Sequence, residues 1–567
     1  MHVVGLSAHY HDSACCLLRD GRLVAAAQEE RFTRLKGEPR LPAEAYRYCL
    51  REAGLDPRQI DLVAYYELPE LRRERQKAMG RLPDPEPDPV REIRELLGHE
   101  GPIRLFPHHA SHAASAFLYS PFDSAAVLTA DGVGEWATTV YWSGDGAALE
   151  ALEEVRFPHS LGLLYSAVTA WLGFEVNRGE GTVMGLAGWG RPRRAGALRQ
   201  LVTSLPGGGF RLAPDTFDLS HDRLVSPRLC ELLGPPRPPG GELTEEHADV
   251  AASVQEVLEE ILLEKLAFLR GATGSDDLCL AGGVALNCKA NGRILEESGF
   301  SRLWVQPAAG DAGGALGAAA LAQVEATGER PAPLDGVDLG PGFDPEPYLA
   351  ATPLAPLDFR GRSADLYDEV ARRLDHGEIV GWFTGRMELG PRALGQRSIL
   401  ADPRRAESRE RLNREIKRRE PFRPFAPAIL EEAAAEVVET PAPSPHMLRS
   451  HPVRAERREE LPAVTHVDGS ARPQTVTARR TPRLAGLLGA WRRRTGCPAL
   501  LNTSFNARGE PIVCTPTDAL FALAGTGLDA LVLEEWVVDA VPEAWPELTT
   551  LWRPPRQSPF RRDLYTF

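Results

Sequence analysis

The sequence predicts an α/β protein of two domains, the first of them built from two similar lobes. Three observations carry this expectation. A β-rich grammar of strand, Asp-bearing turn, strand, Gly/Asp hairpin and strand occurs at Val3 to Val24 and again at Ala125 to Leu149. Two units of strand, Gly-rich turn and helix follow one another between Asp276 and Ala320. A Pro/Gly-rich irregular stretch, 327–362, then precedes a fresh helix near Ser363 and a strand at Ile379 to Phe383. At 567 residues the chain is too long for one core, so domains of 1–350 and 351–567 are expected.

The first copy of the repeat reads VVGLSAHYHDSACCLLRDGRLV. An apolar strand runs into the turn His9 to Ser13, a second strand follows, and Asp20-Gly21 makes a tight hairpin to a third. In the second copy the strand Ala125 to Ala130 stops at Asp131-Gly132-Val133-Gly134-Glu135, a β-rich run follows, and Gly144-Asp145-Gly146 turns the chain. Internal repeats take precedence in a fold assignment. Two β-β-β-α units whose Asp-bearing turns face one cleft describe the actin-like (actin, sugar-kinase, Hsp70) architecture, in which such turns hold phosphates and a metal. The plain alternative is two unrelated hairpins, since Asp-Gly turns are common.

Just ahead of the second copy lies PHHASHAASAF, 107–117. His108 and His112 are four apart in an alanine-rich run, which puts both on one helical face. Pro107 suits the first turn, and Pro121 lies beyond the end. Asp131, at the end of the next strand, adds a carboxylate, so three mixed N/O donors for a divalent metal are predicted. His109 shares the face and is an alternative to His108. A helix with surface histidines and a turn aspartate is the plain reading. No Glu lies between the histidines, so this is not a metalloprotease helix.

Asn177 to Gly190 (NRGEGTVMGLAGWG) reads as a glycine-dense loop before a helix, where backbone can approach a ligand closely. In the paired units, the strand Leu278 to Leu280 enters Ala281-Gly282-Gly283, and the strand Leu303 to Gln306 enters a turn with Gly310, Asp311, Gly313 and Gly314. Each turn opens a helix whose free N–H groups can face an anion. Asp311 is a candidate fourth metal ligand; its plain role is a helix N-cap. No Walker A loop occurs.

The second domain carries GRMELGPRALGQRSILADPR at 385–404, then IKRREPFRPFAPAIL with Lys417, Arg418, Arg419 and Arg423, and Arg472 in VTHVDGSARPQTV. Arginines set among Gly, Pro and Phe, rather than at helical spacing among Glu and Lys, predict a phosphate or carboxylate site. PALLNTSFNARGEPIV adds Asn502, Thr503 and Ser504 at a strand end, where hydroxyls and amides bind small polar groups.

Composition narrows the function class. With 65 Lys and Arg against 79 Asp and Glu, the net charge of −14 argues against a nucleic-acid partner. The eight cysteines form no C-x-x-C pair, so neither a zinc knuckle nor a redox pair is predicted, and buried thiols in a reducing compartment are expected. The start MHVVGLSA reads as a strand and not as a leader, and the longest uncharged small-residue run, Ala312 to Val324, is too short for a membrane span. A cytoplasmic enzyme is expected.

Taken together, HDSA at 11–14, QEERFTRLK at 28–36, HHASHAASAF at 108–117, ADGVGE at 130–135, LAGGVALN at 280–287, QPAAGDAGGALGAA at 306–319, GPRALGQRSILADPR at 390–404, RPFAPA at 423–428, THVDGSAR at 465–472 and LNTSFN at 501–506 match one pattern. The chain resembles, over nearly its whole length, the ATP-dependent O-carbamoyltransferases of antibiotic and nodulation-factor biosynthesis, such as the tobramycin, cephamycin and novobiocin enzymes. The resemblance implies an actin-like first domain of the tRNA threonylcarbamoyl transferase type and a YrdC-like α/β second domain. It implies that carbamoyl phosphate and ATP, with Mg, become carbamoyl-adenylate in the second domain. The carbamoyl group then passes, with help from Fe(II) (or Mn or Zn) in the first domain, to a hydroxyl of a small natural product.

Carried over by the same resemblance, the metal ligands are His108, His112, Asp131 and Asp311, and His11 and Asp12 are catalytic. Gly132, Gly282, Gly283, Asn287 and Gly310 face the nucleotide or carbamoyl-adenylate in the first domain. Arg392, Lys417, Arg423, Arg472, Asn502 and Ser504 bind carbamoyl phosphate and ATP in the second. Thr182 stands where the family often has Lys, so a lysine contact is missing or replaced there. The expected partners are a small hydroxylated acceptor and a second copy of the chain in a homodimer, with no nucleic acid and no membrane. The alternative is a tRNA-modifying relative, against which the acidic balance and the absence of a basic tail count. A non-enzymatic actin-like scaffold leaves the arginines and the metal donors without a purpose.

Overall fold

The computed structural model describes residues 1–80, 87–219, 223–440 and 442–541. By contacts the described residues divide into two units, residues 1–29 with 37–334, and residues 30–36 with 335–541.

The first unit contains the same sheet twice. Strands β1 (His2–Ser7), β2 (Ala14–Arg19), β3 (Arg22–Gln28), β4 (Leu62–Tyr65) and β5 (Ile103–Leu105) lie in the order β3-β2-β1-β4-β5. Strands β6 (Ser124–Ala130), β7 (Ala137–Asp145), β8 (Ala148–Arg156), β11 (Asp277–Ala281) and β12 (Arg302–Val305) lie in the order β12-β11-β6-β7-β8; β9 (Val202–Ser204) and β10 (Phe210–Leu212) pair separately. In each sheet the first strand pairs antiparallel with the second and the second with the third. The first also pairs parallel with the fourth, and the fourth with the fifth. The repeated grammar in the sequence is therefore a structural duplication, and the unit has the actin-like topology.

Parallel pairing of β6 with β11 brings their carboxyl ends side by side, so Asp131 and Gly282 emerge together. The helix Asp311–Thr327 (DAGGALGAAALAQVEAT) packs on β1 and on the helix His108–Phe117. Its small residues permit contacts that larger ones would block: a Cβ at Gly317 would lie 1.7 Å from the Ser111 carbonyl oxygen, and one at Gly5 of β1 would lie 2.0 Å from that of Ala315. The composition that reads as a neutral run is thus what lets the helix reach the histidine helix. Asn177 to Gly190 differs from expectation: a helix, Glu180–Ala187, runs through it after the turn at Asn177. Likewise the Gly282-Gly283 turn passes through a 3₁₀ segment, Gly283–Leu286, before the helix Cys288–Glu297.

The second unit holds β13 (Leu357–Asp358), β14 (Val380–Phe383), β15 (Arg397–Ala401), β16 (Ala426–Leu430), β19 (Gln474–Val476), β20 (Ala499–Ser504), β21 (Ala530–Leu533) and β22 (Trp536–Asp539). They form one mixed sheet, β13-β22-β21-β14-β15-β20-β16-β19, while β17 (His451–Pro452) and β18 (Ser470–Ala471) pair apart. Its core gathers Trp382, Trp491, Ile399, Leu487 and Phe505 beneath the helices Ser363–Asp375 and Pro482–Thr495. Leu349 belongs to this core and Phe343 packs on it, so the boundary by contacts lies at 334/335 rather than at the expected 350/351. Residues 30–36 join this unit through arginine–carbonyl bonds. Arg31 donates to Gly390 O at 2.8 Å, and Arg34 to Ile512 O at 2.6 Å and Pro511 O at 3.0 Å. Among the described residues no helix is long and apolar enough to cross a membrane.

Candidate functional site

The helix His108–Phe117 starts directly after Pro107 and is buried almost throughout. That burial places His108 and His112 inside the protein, at 1% and 0% exposure, where an imidazole needs a partner. Their partners are the carboxylates at the end of β6 and at the start of the helix Asp311–Thr327. His112 Nε2 lies 3.0 Å from His108 Nε2, 3.0 Å from Asp131 Oδ2 and 3.6 Å from Asp311 Oδ1; His108 Nε2 lies 3.6 Å from Asp131 Oδ2 and 3.7 Å from Asp311 Oδ1. One donor atom from each of the four residues falls within 4.8 Å of the others. His109 points away, its Nδ1 2.9 Å from Thr129 Oγ1, which removes it as the alternative ligand.

These donors fit a divalent cation. Neighbouring ligands each about 2.1 Å from one ion stand about 3 Å apart, as the two Nε2 atoms do. Two imidazoles with two carboxylates form a borderline donor set suited to Fe(II), Mn(II) or Zn(II). Without a cation, the same groups neutralise one another. Burial opposes charge on each, but pairing outweighs it: His112 is pushed up to about 9, and Asp131 is held well below the usual carboxylate range by His108 and His112.

The turns around the four donors are clamped. Ser160 Oγ donates to the Asp131 and Gly132 carbonyls at 3.0 and 2.7 Å, Gly132 N donates to Asp131 Oδ1 at 2.7 Å, and Tyr66 OH lies 3.4 Å from Asp311 Oδ2. His11, in the first repeat's turn, reaches the same place, with Nε2 3.9 Å from Asp311 Oδ2 and Nδ1 2.9 Å from Asp12 Oδ2. Burial opposes its charging, yet Asp311, Asp12 and Asp131 together push it up to about 10.

Of the residues carried over for the nucleotide, the glycines lie here. Gly282 has φ +89° and a Cβ there would meet Ala130 O at 2.2 Å; a Cβ on Gly283 would meet Asp131 Oδ1 at 2.9 Å; Gly310 caps the Asp311–Thr327 helix. Asn287 is otherwise engaged. Its amide pairs with that of Gln255 through two 2.9 Å bonds and accepts from Ala290 N, capping the following helix. Thr182 is buried in the Glu180–Ala187 helix.

In the second unit the predicted arginines divide. Arg386 donates to Leu339 and Gly340 carbonyls, Arg397 to those of Thr384, Gly385, Gln396 and Pro341, and Arg404 pairs with Asp402 and Asp375. These three are structural. A different group gathers around β20. Lys417, 4% exposed, donates Nζ to Ser504 O, to Asn506 O at 3.0 Å and to Asn506 Oδ1 at 2.8 Å, and Ser504 Oγ lies 2.7 Å from the last. Burial, then Arg419, Lys36 and Arg423, pull the Lys417 amine well below its ordinary range, with Glu510 acting the other way. Arg423 is lowered by burial, with Arg472 and Arg508 adding repulsion. Massed cations that repel one another inside a fold are matched by an anion. Asn502 is buried, its Nδ2 bonded to Gln474 Oε1 at 2.8 Å and its Oδ1 without a protein partner. Arg392 and Arg472 are both half-buried, and Arg472 adds its charge to that acting on Arg423.

Sequence reasoning passed over Asn413 and Asn506. Asn506 was within reach, two residues after Ser504. Asn413 carries no local signal: it sits in a π-helical turn, Leu412–Ile416, that swings its amide onto Arg419 Nε (2.8 Å) and the Pro421 and Arg423 carbonyls.

Residues 2–99 and 90–320 match the family described as carbamoyltransferase N-terminus, and residues 371–540 the carbamoyltransferase C-terminus. An uncharacterised Synechocystis protein is 42% identical over 97% of this chain and 99% of its own length. The nodulation protein NolNO of Sinorhizobium fredii is 38% identical over 97% and 82%, and NolO of Bradyrhizobium diazoefficiens 41% identical over 78% and 80%.

Proposed function

The chain belongs to the carbamoyltransferase family, and from that premise we propose that it carbamoylates a hydroxyl of a small metabolite in two separable steps. The observation that supports this reading is the presence of two chemically different sites, a four-donor metal-type centre in one unit and a cationic cluster in the other.

In the second unit, read as YrdC-like, water hydrolyses carbamoyl phosphate to carbamate and inorganic phosphate. The carbamate then takes AMP from ATP, with release of pyrophosphate, to give carbamoyl-adenylate. Lys417, Arg392, Arg423 and Arg472 offset the phosphate charges, and Ser504 and Asn502 offer hydrogen bonds to the carbamoyl group. Adenylation matters because carbamate is a poor acyl donor and AMP a good leaving group.

In the first unit, the open backbone at Gly132, Gly282, Gly283 and Gly310 receives the adenylate. His108, His112, Asp131 and Asp311 would hold a divalent ion, which would supply Lewis acidity for the transfer. Asp12, bonded to His11 Nδ1, fixes the ring so that Nε2 faces the donor cluster. With Asp311 and Asp131 engaged as metal ligands, the charges that raise His11 are offset, and its neutral Nε2 would take the proton of the acceptor hydroxyl as it attacks. The reading is tested by pyrophosphate release from ATP. It should require carbamoyl phosphate, and release that is indifferent to carbamoyl phosphate overturns it.

A further inference from the structure

We propose that Glu135 is a positioning residue that sets the register between the two halves of the metal centre, and so its affinity for the ion. The proposal rests on the metal reading above. Glu135 closes the ADGVGE stretch, which begins its turn with the ligand Asp131. Its side chain is 5% exposed. Oε1 accepts the His108 backbone N–H at 2.9 Å and the Leu68 N–H at 2.9 Å.

Three features make this arrangement more than packing. The helix that carries both imidazoles has no side-chain cap of its own, because its N-cap is Pro107. A helix start leaves N–H groups without partners and favours negative charge, so a buried carboxylate arriving from elsewhere fills the missing role. The five-residue turn therefore holds one ligand at its first residue and grips the helix of two others at its last. The turn is itself fixed. Tyr10 OH donates to Gly134 O at 2.8 Å, and a Cβ on Gly134 would meet the His108 ring at 3.0 Å. The second amide, Leu68 N, follows Tyr66, whose hydroxyl lies 3.4 Å from Asp311 Oδ2. One carboxylate oxygen thus ties the Asp131 turn to the histidine helix and to the segment that leans on Asp311.

Outer partners of metal ligands typically change affinity by about 10- to 100-fold when removed. The experiment measures Zn(II) and Mn(II) binding to the full chain by chelator competition, alongside thermal unfolding without metal. Glu135→Ala is expected to bind at least tenfold more weakly. Glu135→Gln keeps an acceptor oxygen of the same reach and is expected to stay within about threefold of wild type, a rescue that general destabilisation does not give. Should Glu135→Ala fail to fold, Glu135→Asp replaces it, since a carboxylate one methylene shorter does not span both amides. Wild-type affinity in Glu135→Ala or Glu135→Asp overturns the proposal. Metal binding that survives His108→Ala combined with His112→Ala overturns the metal assignment instead, so the two failures are distinct.

Discussion

Gly317→Ala probes the contact that assembles the metal-type centre. The added Cβ would lie 1.7 Å from the Ser111 carbonyl oxygen, 2.6 Å from its carbon and 2.9 Å from the Ser115 nitrogen, all backbone atoms of the histidine helix. None can rotate away as a side chain does. Non-bonded heavy atoms settle at about 3.5 Å or more, so the two helices must separate by more than about 1 Å. Asp311 opens the displaced helix, and His108 and His112 stand on the other. Metal–ligand distances tolerate only about 0.2 Å, so the displacement should weaken metal binding by tenfold or more. Forcing a methyl into a packed contact should cost about 1–3 kcal/mol of stability. Gly271→Ala is the control: it lies in the helix Glu245–Thr273 with nothing within 4 Å of its would-be Cβ, so helix propensity alone should stabilise it by about 0.5–1 kcal/mol. Urea unfolding and metal titration of both variants supply the assay. A Gly317→Ala protein as stable and as metal-competent as wild type refutes the reasoning.

Two further expectations follow from buried polar groups. Asn413→Ala removes the acceptor of Arg419 Nε and the donor to two loop carbonyls. Leaving a buried donor unpaired costs about 1–3 kcal/mol, and KM for carbamoyl phosphate should rise about tenfold; an unchanged KM shows that the loop is not held by this amide. Glu29 accepts the Glu44 and Ala45 N–H groups at 3.1 and 2.8 Å, capping the helix Ala43–Ala53 behind Pro42, and burial pushes its carboxyl up to about 7 against those two bonds. A folded-state value above the unfolded one means stability present at low pH that is lost as pH rises through about 7. Glu29→Gln stays neutral, so its stability relative to wild type should grow between about pH 5 and pH 8; a difference independent of pH contradicts the assignment.

What was legible in the chain was what depends on near neighbours. The two β-rich copies, the helix that puts His108 and His112 on one face, and the strand ends at Asp131 and Gly282 follow from spacing of two to four residues. The convergence of Asp311 on the histidines depends on a helix–helix contact made possible by Gly317, and small residues show tolerance of approach without naming the partner. The arginines illustrate the reverse. Arg386, Arg397 and Arg404 look like Arg392 in sequence, yet carbonyls and aspartates of the same unit accept hydrogen bonds from them. Both remote caps, Glu29 and Glu135, are invisible locally because the helix each one closes begins many residues away, behind a proline. The same holds for residues 30–36, whose arginines find their carbonyls near residues 390 and 511.

In the proposed reaction, activation and transfer are separate, the second depending on the four-donor centre. The most direct test is a quenched single turnover with radiolabelled carbamoyl phosphate and ATP, with a panel of sugars and glycosides as acceptors, comparing wild type with Asp311→Asn. Both should form carbamoyl-adenylate at equal rates, and only wild type should move the label to an acceptor hydroxyl. Label transfer by Asp311→Asn at the wild-type rate, or transfer by wild type without any carbamoyl-adenylate, contradicts it.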